Sequence, residues 1–234
     1  PSFLEAIETV KEHDSTLHLM GLISPGSVHS HKDHLLALLR LAKEQSITKV
    51  LVHAFMDGRD SAPYSGLGHL RELERELKLV GVGKIGSLIG RYFAMDRNNN
   101  WDRVEKAYLM LTKGIGERTS DPLLYLEQLY AKNTSDEFIE PTVIEEGGEP
   151  VGLIQDGDAV IFFNFREDRA REITKAFVLP EFDGFAREKK LDVYFVTMTE
   201  YEKDLPIHIA FPPEEVHESI GEVLSKAGMR QLRI

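Results

Sequence analysis

No cysteine occurs among the 234 residues, which excludes disulfides and thiolate-bound metals and suits a reducing compartment; a cytoplasmic location is the expectation. Long apolar runs are also missing. None approaches the ~20 residues needed to cross a bilayer as a helix, so no membrane contact is expected. Positive charge is in deficit, with 28 Lys and Arg against 39 Asp and Glu and a net charge of −11. A general nucleic-acid binder needs a basic surface, so that class is set aside. A pocket for a small anion is not, because nearby arginines dominate within a Debye length of ~8 Å. No strand is followed by a P-loop or a dinucleotide-binding glycine pattern, and no serine nucleophile elbow is present.

What is present is a 42% hydrophobic chain, large enough to bury a substantial core. The pattern alternates strand-like and helix-like segments, which predicts an α/β fold: a three-layer α/β/α sandwich around a largely parallel sheet. A short amphipathic helix over 3–13 precedes a strand over 17–23 and a helix ending near Gln45. A strand over 50–56, a helix closed by Gly81, a strand over 84–89 and a helix capped by Asn100 follow. Asp121-Pro122 opens another helix. The segment 114–158, which includes this helix, breaks the rhythm, and within it 136–150 reads as a hairpin excursion to which no chemistry is assigned. Then come a buried strand over 159–165 and a helix holding Glu167 and Asp168 in its first turn. A strand over 191–199, an edge strand over 206–211, a helix over 213–227 and a strand-like end at 231–234 complete the reading. With no initial Met and Pro1 directly on a helix start, the chain is expected to be a piece of a longer protein.

Four strands end in loops that carry arginine or histidine. In open α/β sheets, ligands bind at the carboxyl ends of strands, where backbone N–H groups also meet anions. Arg166 and Arg169 lie at one such end, Arg91 and Arg97 at another. Asp57-Gly58-Arg59-Asp60 offers a bidentate guanidinium on a tight turn, with Asp60 fixing it, binding a hydroxyl, or capping the next helix. His29, with an ordinary pKa of ~6.5, suits a hydrogen-bonding or acid–base role near a phosphate. His31 falls where a helix begins and reads as a cap. A metal-dependent hydrolase using His29, His31 and Asp60 lacks further convincing ligands. A non-catalytic anion-binding or interaction domain is the competing class.

Taken together, GLISPGSVHSH, HAFMDGRD, GRYFAMDRNNNWDRVEKAY, DEFIEPTVI, IFFNFREDRAREIT and FPPEEVHESIGEVLSKAGMRQLRI resemble the cofactor-independent phosphoglycerate mutase family over nearly the whole chain. The resemblance implies a single transferase, or substrate-binding, domain over 1–234, whose partner is a phosphatase domain lying outside this chain. That partner is expected to supply the nucleophilic serine and two divalent metals, manganese being the expectation, with no metal or cofactor in this chain. The implied reaction is interconversion of 3-phosphoglycerate and 2-phosphoglycerate in glycolysis and gluconeogenesis, through a phosphoserine on the partner domain. The chain alone is then expected to be inactive. Substrate contacts implied for this sequence are His29, Arg59, Asp60, Arg91, Arg97, Arg166 and Arg169, with His29 and Asp60 in catalytic roles. A further contacting lysine would lie beyond QLRI. Pro25 and Ser27 stand where the family often has Asp and Gly, which is expected to shift the loop that aims His29. Asn98-Asn99-Asn100 replaces a commonly charged stretch.

Overall fold

The computed structural model describes residues 1–214 and 218–232. Its first half alternates regularly: α1 (Ser2–His13), β1 (Leu17–Ile23), α2 (Lys32–Glu44), β2 (Val50–Met56), α3 (Gly66–Val80), β3 (Lys84–Gly90), α4 (Arg91–Ala94) and α5 (Trp101–Lys113). An insertion follows, made of β4 (Glu117–Thr119), α6 (Pro122–Ala131), a 3₁₀ turn (Asp136–Phe138), β5 (Thr142–Glu146) and β6 (Glu149–Pro150). The alternation resumes with β7 (Ala159–Phe162), α7 (Arg171–Val178), β8 (Tyr194–Thr197), β9 (His208–Ile209) and α8 (Ile220–Lys226).

Every residue of β1 and β2 is buried, as continuous apolar runs require when helices cover both faces of a parallel sheet. The strands lie in the order β4-β5-β3-β2-β1-β7-β8-β9, with β6 paired to β5. Only the β3–β5 and β5–β6 pairings are antiparallel. One face packs Ile7, Leu39, Leu73 and Leu126, from α1, α2, α3 and α6, against the sheet. The other packs Phe93, Leu111 and Phe177, from α4, α5 and α7. This is the three-layer arrangement that the alternation predicts. The first three strands run outward from β1 in one direction, and β7 joins its other side. The β1–β7 boundary is therefore a topological switch point, where a crevice opens beyond the strand ends. Among the described residues, no helix is long and apolar enough to cross a membrane.

A line of polar side chains crosses this sheet inside the core. Asp158 Oδ2 lies 3.1 Å from His18 Nε2, His18 Nδ1 lies 2.9 Å from His53 Nε2, and His53 Nδ1 lies 2.8 Å from Ser87 Oγ. All four residues are buried. One consistent proton arrangement satisfies each pair: Ser87 donates to His53, His53 to His18, and His18 to the carboxylate, with both rings neutral. Asp158 also accepts from the Thr16 and Gln155 amides, so its charge is fully solvated by the protein.

The local differences from the sequence expectation have physical causes. The run over 159–165 leaves the ladder after Phe162, because the Phe165 amide bonds the His29 carbonyl at 2.7 Å and Tyr201 Oη donates to the Asn164 carbonyl at 2.5 Å. The next helix starts only at Arg171, so Glu167 and Asp168 lie in a turn before it and not in its first turn. The 136–150 segment does contain a hairpin, turned by Gly147 and Gly148 at φ 64° and 89°, which suits a two-residue primed turn. It is no mere excursion, since β5 inserts into the main sheet beside β3. Nothing in the sequence pattern predicts β4. Its three residues Glu117, Arg118 and Thr119 carry no apolar alternation. The expected edge strand appears as β9, and β8 is shorter than the 191–199 run. Of the helix expected over 213–227, α8 covers Ile220–Lys226, and residues 215–217 lie outside the described residues. Gln231 and Leu232 form no strand, and 233–234 lie outside the described residues.

Candidate functional site

The loops after β1, β2, β3 and β7 emerge side by side, because those strands are parallel neighbours. They carry all seven residues singled out in the sequence. At the base lies a buried ion cluster. Arg91, only 2% exposed, donates from Nη1 to Asp57 Oδ1 at 2.6 Å and to Asp60 Oδ2 at 2.5 Å. Asp57 also accepts from Ser24 Oγ at 2.5 Å and from the Arg59 and Asp60 amides. Burial pushes the Asp57 carboxyl up, but these hydrogen bonds and the Arg91 charge prevail and hold it below the usual range. Asp57 thus fixes the turn that presents Arg59 and Asp60. Asp60 does not cap a helix; α3 begins at Gly66, with Ser65 at its cap position.

His29 stands between two carboxylates. Its Nε2 is 3.6 Å from Asp60 Oδ2 and its Nδ1 is 3.6 Å from Asp168 Oδ1, both beyond good hydrogen-bond distance. Burial first, and the Arg91 guanidinium second, lower its pKa to about 4 despite the two acids. At neutral pH the ring is neutral, a hydrogen-bonding group and not a resident cation. Its buried Nδ1 has no partner. Ser27 takes the left-handed conformation at φ 54°, one that glycine adopts more readily. His29 is nevertheless held in place, because its carbonyl is bound by the Phe165 amide.

Asp168 ties the third and fourth loops together. Arg97 Nη1 reaches its Oδ2 at 2.9 Å and Arg166 Nε its Oδ1 at 3.0 Å. Burial pushes this carboxyl up, but Arg97, Arg166 and His29 together hold it below its ordinary range. Arg97 therefore pairs across loops, and not with Asp96 or Asp102 as surface pairing would have it. Asp96 is occupied by the Asn98 and Asn100 amides, the Asn100 side chain and Arg103.

Beside this cluster opens a cleft of about 340 Å³ whose lining includes Arg59, Arg91, Arg97, Arg169 and Glu137. Arg169 donates to the Met95 carbonyl at 3.1 Å and has no carboxylate within ion-pair distance among the described residues. Burial first, then Arg91, Arg97 and Arg59, push its pKa below the ordinary arginine value. Such a gathering of like charges is relieved by an incoming anion. The wall opposite is the 3₁₀ turn. Gly58 and Gly90 admit it: a Cβ at Gly58 would lie 2.8 Å from the Glu137 amide nitrogen, and one at Gly90 would collide with the Glu137 carbonyl. A larger hollow, of about 840 Å³, lies at the opposite end of the sheet near Lys49, Gly83 and Lys84. It gathers none of these loops.

All seven candidate residues thus belong to one constellation, in which Arg91 is the buried anchor while Arg59, Arg97 and Arg166 face water. His31 is turned away as the cap of α2, accepting from the Asp33 amide. Among the described residues, no group of three or more His, Asp or Glu side chains is placed to hold a metal ion, which leaves the hydrolase reading based on His29, His31 and Asp60 without a site. Sequence reasoning missed Asp168 as a connector and Glu137 altogether. The only signal for Asp168 was its place between two arginines in a loop. Glu137 gave none.

Comparison with known proteins reaches the same region of sequence space. Residues 1–203 match the family described as the BPG-independent PGAM N-terminus. The chain is 53% identical over 234 residues to the 2,3-bisphosphoglycerate-independent phosphoglycerate mutase of Clostridium perfringens strain 13, covering all of this chain and 46% of that protein. It is 50% identical to phosphoglycerate mutase 1 of the same type from Methanosarcina acetivorans, again with 46% of the relative covered. A crystal structure of Leishmania mexicana phosphoglycerate mutase at low cobalt concentration superposes with a TM-score of 0.83 at 30% identity, covering 97% of this chain and 46% of the other. The chain therefore spans about half the length of the relatives it matches.

Proposed function

This chain belongs to the N-terminal family of 2,3-bisphosphoglycerate-independent phosphoglycerate mutases, and on that basis we propose that it is the substrate-binding, transferase domain of an isomerase interconverting 3-phosphoglycerate and 2-phosphoglycerate. The observation that carries the reading is the convergence of Arg59, Arg91, Arg97 and Arg169 on one cleft, with Arg166 beside it on Asp168. A phosphoglycerate presents a phosphate and a carboxylate, two anions that planar guanidiniums bind with defined orientation.

On this reading Arg59, Arg97, Arg166 and Arg169 grip the anionic groups. Arg91 acts from below, holding Asp60 through its carboxylate. Neutral His29 and Asp60 receive the glycerate hydroxyls, His29 exchanging a hydrogen bond and Asp60 accepting one. The transfer requires glycerate to stay bound while one hydroxyl replaces the other, and several fixed charges make that retention favourable. The phosphoryl group passes meanwhile to a serine in the remainder of the protein, where divalent metals, manganese among the candidates, would supply charge stabilisation. This chain's residues form no site for them among the described residues.

The test is calorimetric titration of the protein with 3-phosphoglycerate at low and moderate salt, beside an Arg166→Ala control. Binding should weaken with salt. Arg166 is half-exposed before binding, so its loss should cost the lower end of a charge-assisted contact, ~1.5 kcal/mol or about tenfold in affinity. Affinity unchanged in the variant would remove Arg166 from the site.

A further inference from the structure

Among the described residues, the one acid that faces the arginine cleft without being consumed by the buried network is Glu137. Asp57 and Asp60 are taken by Arg91, Asp168 by Arg97 and Arg166, and Asp96 by its own loop and Arg103. Glu137 instead reaches Arg59, with Oε1 3.3 Å from Nη1. Its side chain is 18% exposed while that of Arg59 is 56% exposed, so the acid is the enclosed partner and the arginine the one with room to turn toward a ligand.

The fixing is built into the fold. Asp136, next to Glu137, accepts from the Gly66 amide at 2.8 Å and receives a short hydrogen bond from Tyr130 Oη. The Asp136 amide donates to the Pro63 carbonyl at 2.9 Å, and the Gly90 amide donates to the Ile139 carbonyl at 2.8 Å. With Gly58 and Gly90 packed against its backbone, Glu137 has little freedom to withdraw when a ligand enters. A carboxylate held rigidly at the rim of an anion cleft has one evident electrostatic effect. It occupies a guanidinium when the cleft is empty and opposes the anion that arrives.

We propose that Glu137 is a resident counter-ion for Arg59: a specificity-determining carboxylate that holds the arginine in the free protein and from which the incoming anion must draw it. The inference rests on the proposed phosphoglycerate site. Its consequence is selective: a ligand bringing a single weak anionic group does not draw Arg59 from Glu137, whereas one that brings both phosphate and carboxylate gains enough from the other arginines to do so. The carboxylate also restrains affinity, which lets the product leave.

The experiment is a double-mutant cycle in the complete protein, using Glu137→Gln, Arg59→Ala and the pair, with 3-phosphoglycerate binding read by calorimetry. Glutamine keeps the shape of the side chain, so thermal melting of the single variant should match the parent. Because the Arg59 end of the pair is open to water, removing the carboxylate as a competitor should tighten binding by about two- to fivefold. The gain should disappear in the Arg59→Ala background. No tightening, or a gain that persists without Arg59, overturns the assignment; the second result would mean that Glu137 acts only through the general field. Should 3-phosphoglycerate bind neither the parent nor the variant, the substrate reading falls. Inorganic phosphate, titrated into the same four proteins, then decides the counter-ion role by the same two criteria.

Discussion

Burial and the Arg91 guanidinium act on His29 in the same direction, and two carboxylates at 3.6 Å do not outweigh them. Each acid is itself neutralised: Asp60 by Arg91, Asp168 by Arg97 and Arg166. The histidine therefore meets screened pairs and not free negative charge. The expected outcome is an imidazole that titrates near pH 4, seen as the NMR midpoint of its ring protons and assigned by a His29→Gln variant. A midpoint near the ordinary ~6.5 would mean that water reaches the ring and that the cluster is looser than described. That histidine, two aspartates and several arginines belong together could be argued from loop position. Which acid neutralises which arginine could not, because Asp168 and Arg97 are 71 residues apart and meet only through the strand order.

The elements themselves were largely readable, since β1, β2 and β3 are buried apolar runs and α2, α3 and α5 carry regular apolar stripes. The failures fall where tertiary bonds override local preference, as at Asn164. That residue is the one polar interruption in the apolar run over 159–165. Its Oδ1 accepts from the Leu22 amide at 3.0 Å and so ties the end of β7 to the end of β1, directly beneath the switch-point crevice. The buried line Ser87–His53–His18–Asp158 does similar work nearer the middle of the strands, and it makes acid stability a property of the sheet. Burial holds the His53 pKa well below 6.5 in the folded state, with His18 adding to the effect. Between the folded and unfolded values the unfolded chain binds more protons, so stability is complete above pH ~6.5 and falls as the pH drops below it. The loss should approach about 1.4 kcal/mol per pH unit for this histidine. His29, lowered for its own reasons, adds to it with the same sign. Urea midpoints at pH 7 and pH 5 should therefore differ, and His53→Gln should shrink the difference. Equal midpoints in the parent protein would show that the line accepts a proton without cost.

At the scale of the whole molecule, a net charge of −11 coexists with a cleft ringed by guanidiniums. The two are compatible because the surplus acids are dispersed over the surface and screened within ~8 Å, while the arginines act at contact distance. The sheet delivers four loops to one end and so builds a place to hold an anion. It does not by that means build a complete phosphoryl-transfer site. Anion binding needs only the arginines, but moving a phosphoryl group also needs a nucleophile in line with it and a means of neutralising charge on the transferring oxygens. Among the described residues nothing in the cleft meets both needs, since its lining is arginine, aromatic, amide and acid side chains, and no three metal-ligating groups converge. The expected outcome for the purified chain, supplied with manganese and 3-phosphoglycerate, is salt-sensitive binding without formation of 2-phosphoglycerate. The complete protein should convert one isomer to the other. Turnover by this chain alone would mean that the nucleophile lies within it, and the division of labour proposed between the two parts of the enzyme would have to be abandoned.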